Sequence, residues 1–369
     1  MMGRVHNFSA GPAVLPVSVL EEAQKELLDY KGVGMSIMEM SHRSQEYEAV
    51  QFEAESLLKE LLSAPNGYRV LFLGGGAHTQ FAAVPLNFLF PDAEADYVIT
   101  GGWAERAYEE ALKLHAVTKL CGKANMASSS KATNFDRIPT RSEIKLSPNP
   151  AYVHITSNNT LYGTQWPARP DFGKKTLFAD MSSDFLSRPF DLSQFALIYA
   201  GAQKNCGPAG VTIVVLREDM IEKANKNIPT MLSYGIHAKN NSRYNTPPVF
   251  SIYMVSLVLN WLKNKGGLAA MKKINVEKAG CVYEAIDNSG GFYQGHARKD
   301  SRSMMNITFR LPTEELENKF VDEARKSGLV GLKGHRSVGG IRASTYNALP
   351  IQACRDLASF MGDFQKNNG

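Results

Sequence analysis

The chain has 369 residues, 44% of them hydrophobic and 21% charged, which is enough apolar material for a large domain with a smaller one beside it. Its formal net charge of +5 is scattered, with no basic block and no aromatics interleaved with lysines, so nucleic acid is not expected as a partner and small anions are compatible. Cys121, Cys206, Cys281 and Cys354 lie far apart without a C-x-x-C pair, the N-terminus lacks a leader pattern and no run is long enough to span a bilayer. No zinc site, disulfide framework or membrane is therefore expected, and a cytoplasmic protein fits.

After the turn-like Ser9-Ala-Gly-Pro12, apolar residues at helical spacing predict a helix over 16–29, with Ser18 as its cap. A glycine-punctuated connector precedes a second helix over 45–62, so His42 and Arg43 fall just before a helix. A strand over 69–73 ends in Gly74-Gly75-Gly76, and a helix opens at Ala77. The next strand, 96–100, ends at Gly101-Gly102-Trp103 and leads to a helix over 104–113 and a short strand over 116–120. The polar stretch 126–134 reads as a loop, and 142–145 as the end of a short helix. Strands over 151–155 and 176–180 follow, the first entering the loop 156–160 and the second ending in Asp180.

Two apolar runs, 195–200 and 211–216, flank a break of small and turn-forming residues that contains Lys204. A helix over 247–262 is taken as the bridge to a tail of different character, with strands at 304–310 and 340–344 and helices at 313–327 and 351–365. The alternation of strands and helices predicts an α/β fold with a mostly parallel sheet, a large unit over 16–260 and a small α+β unit made of 1–15 and 261–369.

Ligands of open parallel sheets bind at the carboxyl ends of the strands, and here those ends hold Gly76, Trp103, Thr160, Asp180 and Lys204. Each meets one demand of pyridoxal 5'-phosphate. Lys204 offers an amine for the aldehyde, Asp180 a carboxylate for the ring nitrogen and Trp103 a stacking face. Gly76, Ala77 and His78 open a helix whose N–H groups suit a phosphate. The glycines match neither G-x-G-x-x-G nor a P-loop, which disfavours a dinucleotide or ATP site. Taken singly, a surface lysine on a hairpin, a capping aspartate and a packed tryptophan fit the same residues.

The strings Asn7-Phe-Ser-Ala-Gly-Pro12, Ser41-His-Arg43, Ala179-Asp-Met-Ser-Ser183 and Tyr199-Ala-Gly-Ala-Gln-Lys-Asn205 resemble those of the phosphoserine aminotransferases, a class-V, fold-type I pyridoxal-phosphate family. The resemblance runs from residue 7 to the last helix. It implies a homodimer with shared active sites that moves an amino group from glutamate to 3-phosphohydroxypyruvate by a ping-pong reaction of serine biosynthesis. In that pattern Lys204 holds the cofactor covalently, Asp180 faces its ring nitrogen, Trp103 stacks on the ring and Thr160 sits by the phenolic oxygen. Ala77, His78 and Gln203 hold the phosphate, joined by Asn245 and Thr246 of the other subunit. Arg342 takes the substrate's α-carboxylate, while His42, Arg43, His335 and Arg336 form the pocket for the distal anion, with His335 and Arg336 expected from the other subunit. Ala77-His78-Thr79 and Asn159 depart from the choices of other members, and a role for Cys206 beyond packing is left open. So is 4-phosphohydroxythreonine formation, a second activity of some relatives. Alternatives are another fold-type I enzyme, of the alanine-glyoxylate aminotransferase or cysteine desulfurase kind, and a non-catalytic nucleotide-binding module.

Overall fold

Strands buried on both faces read as apolar runs rather than as alternating ones, and such runs form the centre of this protein. The computed structural model describes residues 3–168 and 170–369, so the first two residues of the N-terminal stretch lie outside the described part. Its principal sheet has seven strands: β1 (Tyr68–Leu73), β2 (Glu94–Ile99), β3 (Lys123–Ser129), β4 (Val153–Thr156), β5 (Leu177–Asp180), β6 (Leu197–Gly201) and β7 (Thr212–Arg217), arranged β1-β7-β6-β5-β4-β2-β3. Strand β7 runs antiparallel to both its neighbours, whereas β6-β5, β5-β4, β4-β2 and β2-β3 are parallel pairs. The reversal has a local cause. A parallel crossover needs about a dozen or more residues, and the short turn between β6 and β7, which contains Lys204, can only make a hairpin.

Successive strand residues point to opposite faces. On one face Phe72, Ile155, Ala179, Ile198 and Ile213 pack with the helices Gln45–Leu61 and Val249–Asn264. On the other, Leu71, Tyr97, Phe178, Tyr199 and Val214 pack with the helices Gly76–Phe88 and Gly102–Thr118. A third cluster joins Phe8 to Val282, Phe309, Phe320, Ile341 and Leu357. There a three-stranded antiparallel sheet, Gln294–Gly295, Asn306–Arg310 and Ile341–Ser344, supports the helices Glu314–Lys326 and Ile351–Asn368. His6–Asn7 pairs in parallel with Leu329–Val330, so the start of the chain is stitched to its tail.

Four local expectations fail. Ser18 does not cap the first helix, which spans Val17–Lys25 with Pro16 at its N-cap and no side-chain cap. The strand predicted over 116–120 is not formed, because the preceding helix continues to Thr118 and stops at Lys119, which is left-handed at φ 54°. Strand β3 lies a few residues later, largely inside the stretch read as a loop. It is an edge strand in which only Ala124 and Ala127 are buried, and its polar sequence conceals it from a hydrophobicity pattern. The connection between the principal sheet and the tail also differs from the expected one. The buried apolar residues of helix Val249–Asn264 all belong to the first cluster, and the bridging helix is the next one, Gly267–Asp287, to which the sequence pattern assigns no element. Its Leu268 and Met271 belong to the first cluster, whereas Ala279, Val282 and Ile286 belong to the third.

Lys278 sits midway along that bridging helix and is fully buried. Its Nζ donates to the carbonyls of Tyr346 at 2.6 Å and Asn347 at 3.4 Å, with the Cys354 thiol nearby, and burial pushes its pKa from 10.5 down to about 7. Between those two values the unfolded chain binds more protons than the folded one, so this group makes stability rise with pH across that window. Lys278→Met removes the contribution. The thermal midpoint of the wild type, measured relative to Lys278→Met, is expected to climb from about pH 7 to about pH 9. A difference that stayed constant would mean that the ammonium remains charged inside the fold.

Candidate active site

The carboxyl ends of β4, β5 and β6 meet the N-termini of two helices and the first turn of the chain around a cavity of about 270 Å³. Gly76, Ala77, His78, Trp103, Thr160, Asp180, Gln203, Lys204, His335 and Arg342, all singled out in the sequence, line it. Ala10, Gly11, Phe81, Thr156, Asn158, Ser182 and Ser183 line it as well. Of this second group only the string around Ala10-Gly11 and the serines after Asp180 carried any sequence signal. Thr156 and Asn158 arrive because β4 ends beside β5, which is a matter of strand order.

Asp180 is the last residue of β5 and is buried, with Oδ1 accepting the Ser182 backbone N–H at 2.9 Å. Burial raises its pKa, opposed by the charge of Lys204 and by the Ser182 hydrogen bond. Burial likewise lowers the pKa of Lys204, opposed by Asp180 and assisted by the positive charge of Arg342. Desolvation thus outweighs mutual attraction at both groups, and each is biased toward its neutral form. A second buried carboxylate, Asp184, accepts hydrogen bonds from Ser157 Oγ and, at 2.9 Å, from Gln165 Nε2.

The lysine turn is held from three sides. The Gly201 N–H donates to Ser182 Oγ at 3.1 Å, tying the end of β6 to the residues after β5. Asn205 donates to the Phe185 carbonyl at 3.1 Å and accepts from the Asn347 N–H at 3.0 Å. The residue before Pro12, Gly11, packs against the lysine stem, where an added Cβ would lie 3.6 Å from Lys204 Cγ. Gly201 leaves room for a neighbouring side chain. A Cβ there would come within 2.5 Å of Gln203 Oε1, so this glycine lets the glutamine side chain fold back beside the lysine.

At the other end of the cavity the helix Gly76–Phe88 begins after Gly75, whose φ of 89° is left-handed and whose missing Cβ makes room for Thr79. The first N–H groups of an α-helix have no partner within it, and the residues that carry them here, Gly76, Ala77 and His78, line this end of the cavity. Trp103 opens the next helix. Its indole N–H donates to Thr160 Oγ1 at 2.9 Å, and the His78 ring packs edge-on against it at 5.6 Å, so the indole is fixed as one wall.

Arg342, half-buried on the small antiparallel sheet, donates from one terminal nitrogen to the Thr160 carbonyl at 3.3 Å, while its Nε is buried without a partner among the described residues. His335 comes from a turn closed by the Gly334 N–H to the Gly340 carbonyl at 2.8 Å. It was expected from a second subunit, yet it lines the cavity of its own chain. Arg336, beside it, is exposed and does not line the cavity. Four further residues of the expected site are also outside it. His42 is half-buried with an unpartnered Nε2, Arg43 is exposed, and Asn245 and Thr246 are exposed beside a separate cavity of about 460 Å³ that also holds Gly74 and Gly75.

Among the described residues no cluster of histidine, cysteine or acidic side chains is suited to a metal ion, and no helix is long and apolar enough to cross a membrane. The aminotransferase class-V family model matches residues 5–355. The phosphoserine aminotransferase of Herpetosiphon aurantiacus is 57% identical over 365 residues, covering 99% of each chain. Among solved structures, the phosphoserine aminotransferase of Bacillus circulans subsp. alkalophilus superposes with a TM-score of 0.95 at 55% identity and 99% coverage of both chains. A PLP-bound phosphoserine aminotransferase from Trichomonas vaginalis gives 0.93 at 40% identity, covering 97% of this chain and all of the other. With agreement of this extent in sequence and fold, the chain belongs to the class-V aminotransferases, among the phosphoserine aminotransferases.

Proposed function

We propose that this protein transfers the amino group of glutamate to 3-phosphohydroxypyruvate, giving 2-oxoglutarate and O-phosphoserine, with pyridoxal 5'-phosphate as its cofactor and the cytoplasm as its compartment. The observation that carries this reading is a single cavity in which a desolvated amine, a desolvated carboxylate, a helix N-terminus and a partly unpartnered arginine converge. The donor set fits the cofactor. Lys204 would hold it covalently, Asp180 would face its ring nitrogen, Trp103 would cover the ring, Thr160 would sit by the phenolic oxygen, and Ala77, His78 and Gln203 would hold the phosphate. When bound, the cofactor supplies the electron sink that makes the Cα proton of an amino acid removable and carries the amino group between the two substrates.

The chain's own residues do the rest. Once released from its covalent role, Lys204 Nζ lies in a site that favours the free amine, the form able to take a proton from substrate Cα and return it. The charge of Asp180 is costly in this site and gains from a neighbouring cation, so its carboxylate would favour a protonated ring nitrogen on a bound cofactor. Arg342 presents a planar fork to the α-carboxylate common to both substrates. His335 stands at the distal end.

A homodimer supplies what the single chain lacks. Leu28, Met38, Phe52 and Tyr244 are 86%, 54%, 71% and 50% exposed, an apolar surface of the kind that interfaces cover, and they flank His42, Arg43, Asn245 and Thr246 in sequence. We place those four polar residues, with Arg336 at the rim, in sites completed by a second copy: Asn245 and Thr246 at the cofactor phosphate, His42 and Arg43 at the distal anion.

Stepwise addition tests the activity: glutamate alone is expected to release one equivalent of 2-oxoglutarate per site, and 3-phosphohydroxypyruvate added next to yield O-phosphoserine. Failure of either half-reaction in the purified holoenzyme sinks the assignment. Lys204→Ala is expected to lower turnover by roughly a thousandfold while the protein stays folded. Arg342→Ala should raise KM for both substrates by roughly 10- to 100-fold, the worth of a lost charge-assisted hydrogen bond. A rise for one substrate alone would remove Arg342 from the α-carboxylate. Shared sites are checked by co-expressing Lys204→Ala with an Asn245→Ala, Thr246→Ala chain. Random pairing is expected to restore about a quarter of wild-type activity, since half the dimers then hold one intact site.

A further inference from the structure

The residue after Lys204 carries an amide to which no part of the proposed chemistry assigns a role. Asn205 is buried outside the lining of the catalytic cavity, and its side chain joins two segments of the chain. Nδ2 donates to the Phe185 carbonyl at 3.1 Å and lies 3.4 Å from that of Ser183, a residue of the cavity wall shortly after Asp180. Oδ1 accepts, at 3.0 Å, the N–H of Asn347, in the stretch that continues the strand of Arg342. Asn347 grips the first segment too: its Nδ2 donates to the Leu186 carbonyl at 3.0 Å, and its Oδ1 accepts from Asn275 of the bridging helix at 2.8 Å. Leu186 is left-handed at φ 59°, a conformation that a leucine keeps only where its surroundings impose it, and the carbonyls of Phe185 and Leu186 are each held by one of these two amides. On the other flank of the lysine, the Gln203 carbonyl accepts the Ala13 N–H at 2.8 Å.

Moving the Cα proton sets a geometric demand on this turn. A lysine amine rides on a flexible stem, so where Nζ can reach depends on where the backbone of the turn stands and how firmly it is held. The proton lies on a substrate located by Arg342 through the α-carboxylate and by the cofactor ring that Asp180 faces. Nζ must be in register with both, and a misplacement of about 1 Å can cost on the order of a hundredfold in rate. We propose that Asn205 is a positioning residue for this proton transfer, its amide setting the Lys204 turn against the segment that follows Asp180 and the segment that follows Arg342 at once. An amide suits the role because one planar group supplies both a donor and an acceptor. A carboxylate there would turn an acceptor toward the Phe185 carbonyl, and a hydroxyl is too short to span both partners.

This inference rests on the proposed reaction, and the experiment separates the two. Both half-reactions of the wild-type holoenzyme are measured first; if either is absent, the proposed reaction fails before Asn205 is tested. Asn205→Ser, small enough to admit water to the freed groups, is then expected to release a full equivalent of 2-oxoglutarate per site from glutamate, roughly 10- to 100-fold more slowly than wild type. KM for glutamate should stay within about threefold, and the cofactor should be retained on dialysis as in the wild type. Deuterium at Cα of glutamate should slow the variant at least as much as it slows the wild type, because proton transfer is the impaired step. Asn205→Gln keeps both amide functions but sets them one methylene further out, and it carries the same test should Asn205→Ser be unstable. An unchanged rate overturns the inference. So does a fraction of an equivalent released at the wild-type rate, or a loss of cofactor on dialysis, since either would mean that the amide only maintains the fold. A slower rate with a smaller isotope effect overturns it as well, because a step other than proton transfer is then the one impaired.

Discussion

An amine and a carboxylate placed in the same dry cavity normally collapse into an ion pair, and preventing that collapse is the constraint on which this structure turns. Asp180 and Lys204 end neighbouring parallel strands, or leave them by a tight turn, and burial raises the pKa of the first and lowers that of the second. Among the described residues they form no ion pair. The Ser182 N–H holds one carboxylate oxygen, and Gly11 packs against the lysine stem. Desolvation is the cost that a bound cationic ring can offset at Asp180, and the same desolvation biases Lys204 toward a usable lone pair.

Holding the pair needs distant parts of the chain. The Tyr346 hydroxyl donates to the Ala10 carbonyl at 2.9 Å, fixing the first turn against the cavity, and the Asn347 N–H donates to Asn205 beside the lysine. Buried Lys278 caps the carbonyls of the same two residues from the bridging helix. The start, middle and end of the chain are thus tied at the corner before the last helix, and the small sheet that presents Arg342 is coupled to the turn that presents Lys204.

One cavity gathers a carboxylate, an amine, the first residues of a helix, and histidine and arginine side chains. A net charge of only +5 over 369 residues gives no hint of this, because the positive groups are gathered by folding rather than by sequence.

The sequence alone determined the α/β class, the lysine turn, the carboxylate at a strand end, the glycine-led helix and, through four short strings, the family. Those are local features: apolar runs, turn chemistry and motifs written in consecutive residues. It misplaced strand β3, whose edge position lets it be polar, and it passed over the bridging helix Gly267–Asp287. Only the tertiary structure decided that His335 lines its own chain's cavity while His42, Arg43, Asn245 and Thr246 do not, that Gly11 packs against Lys204, and that Arg106 stands over Trp103. Which side chains share a cavity depends on strand order and on how the small sheet docks, and these are set by contacts between residues hundreds of positions apart that no local pattern encodes.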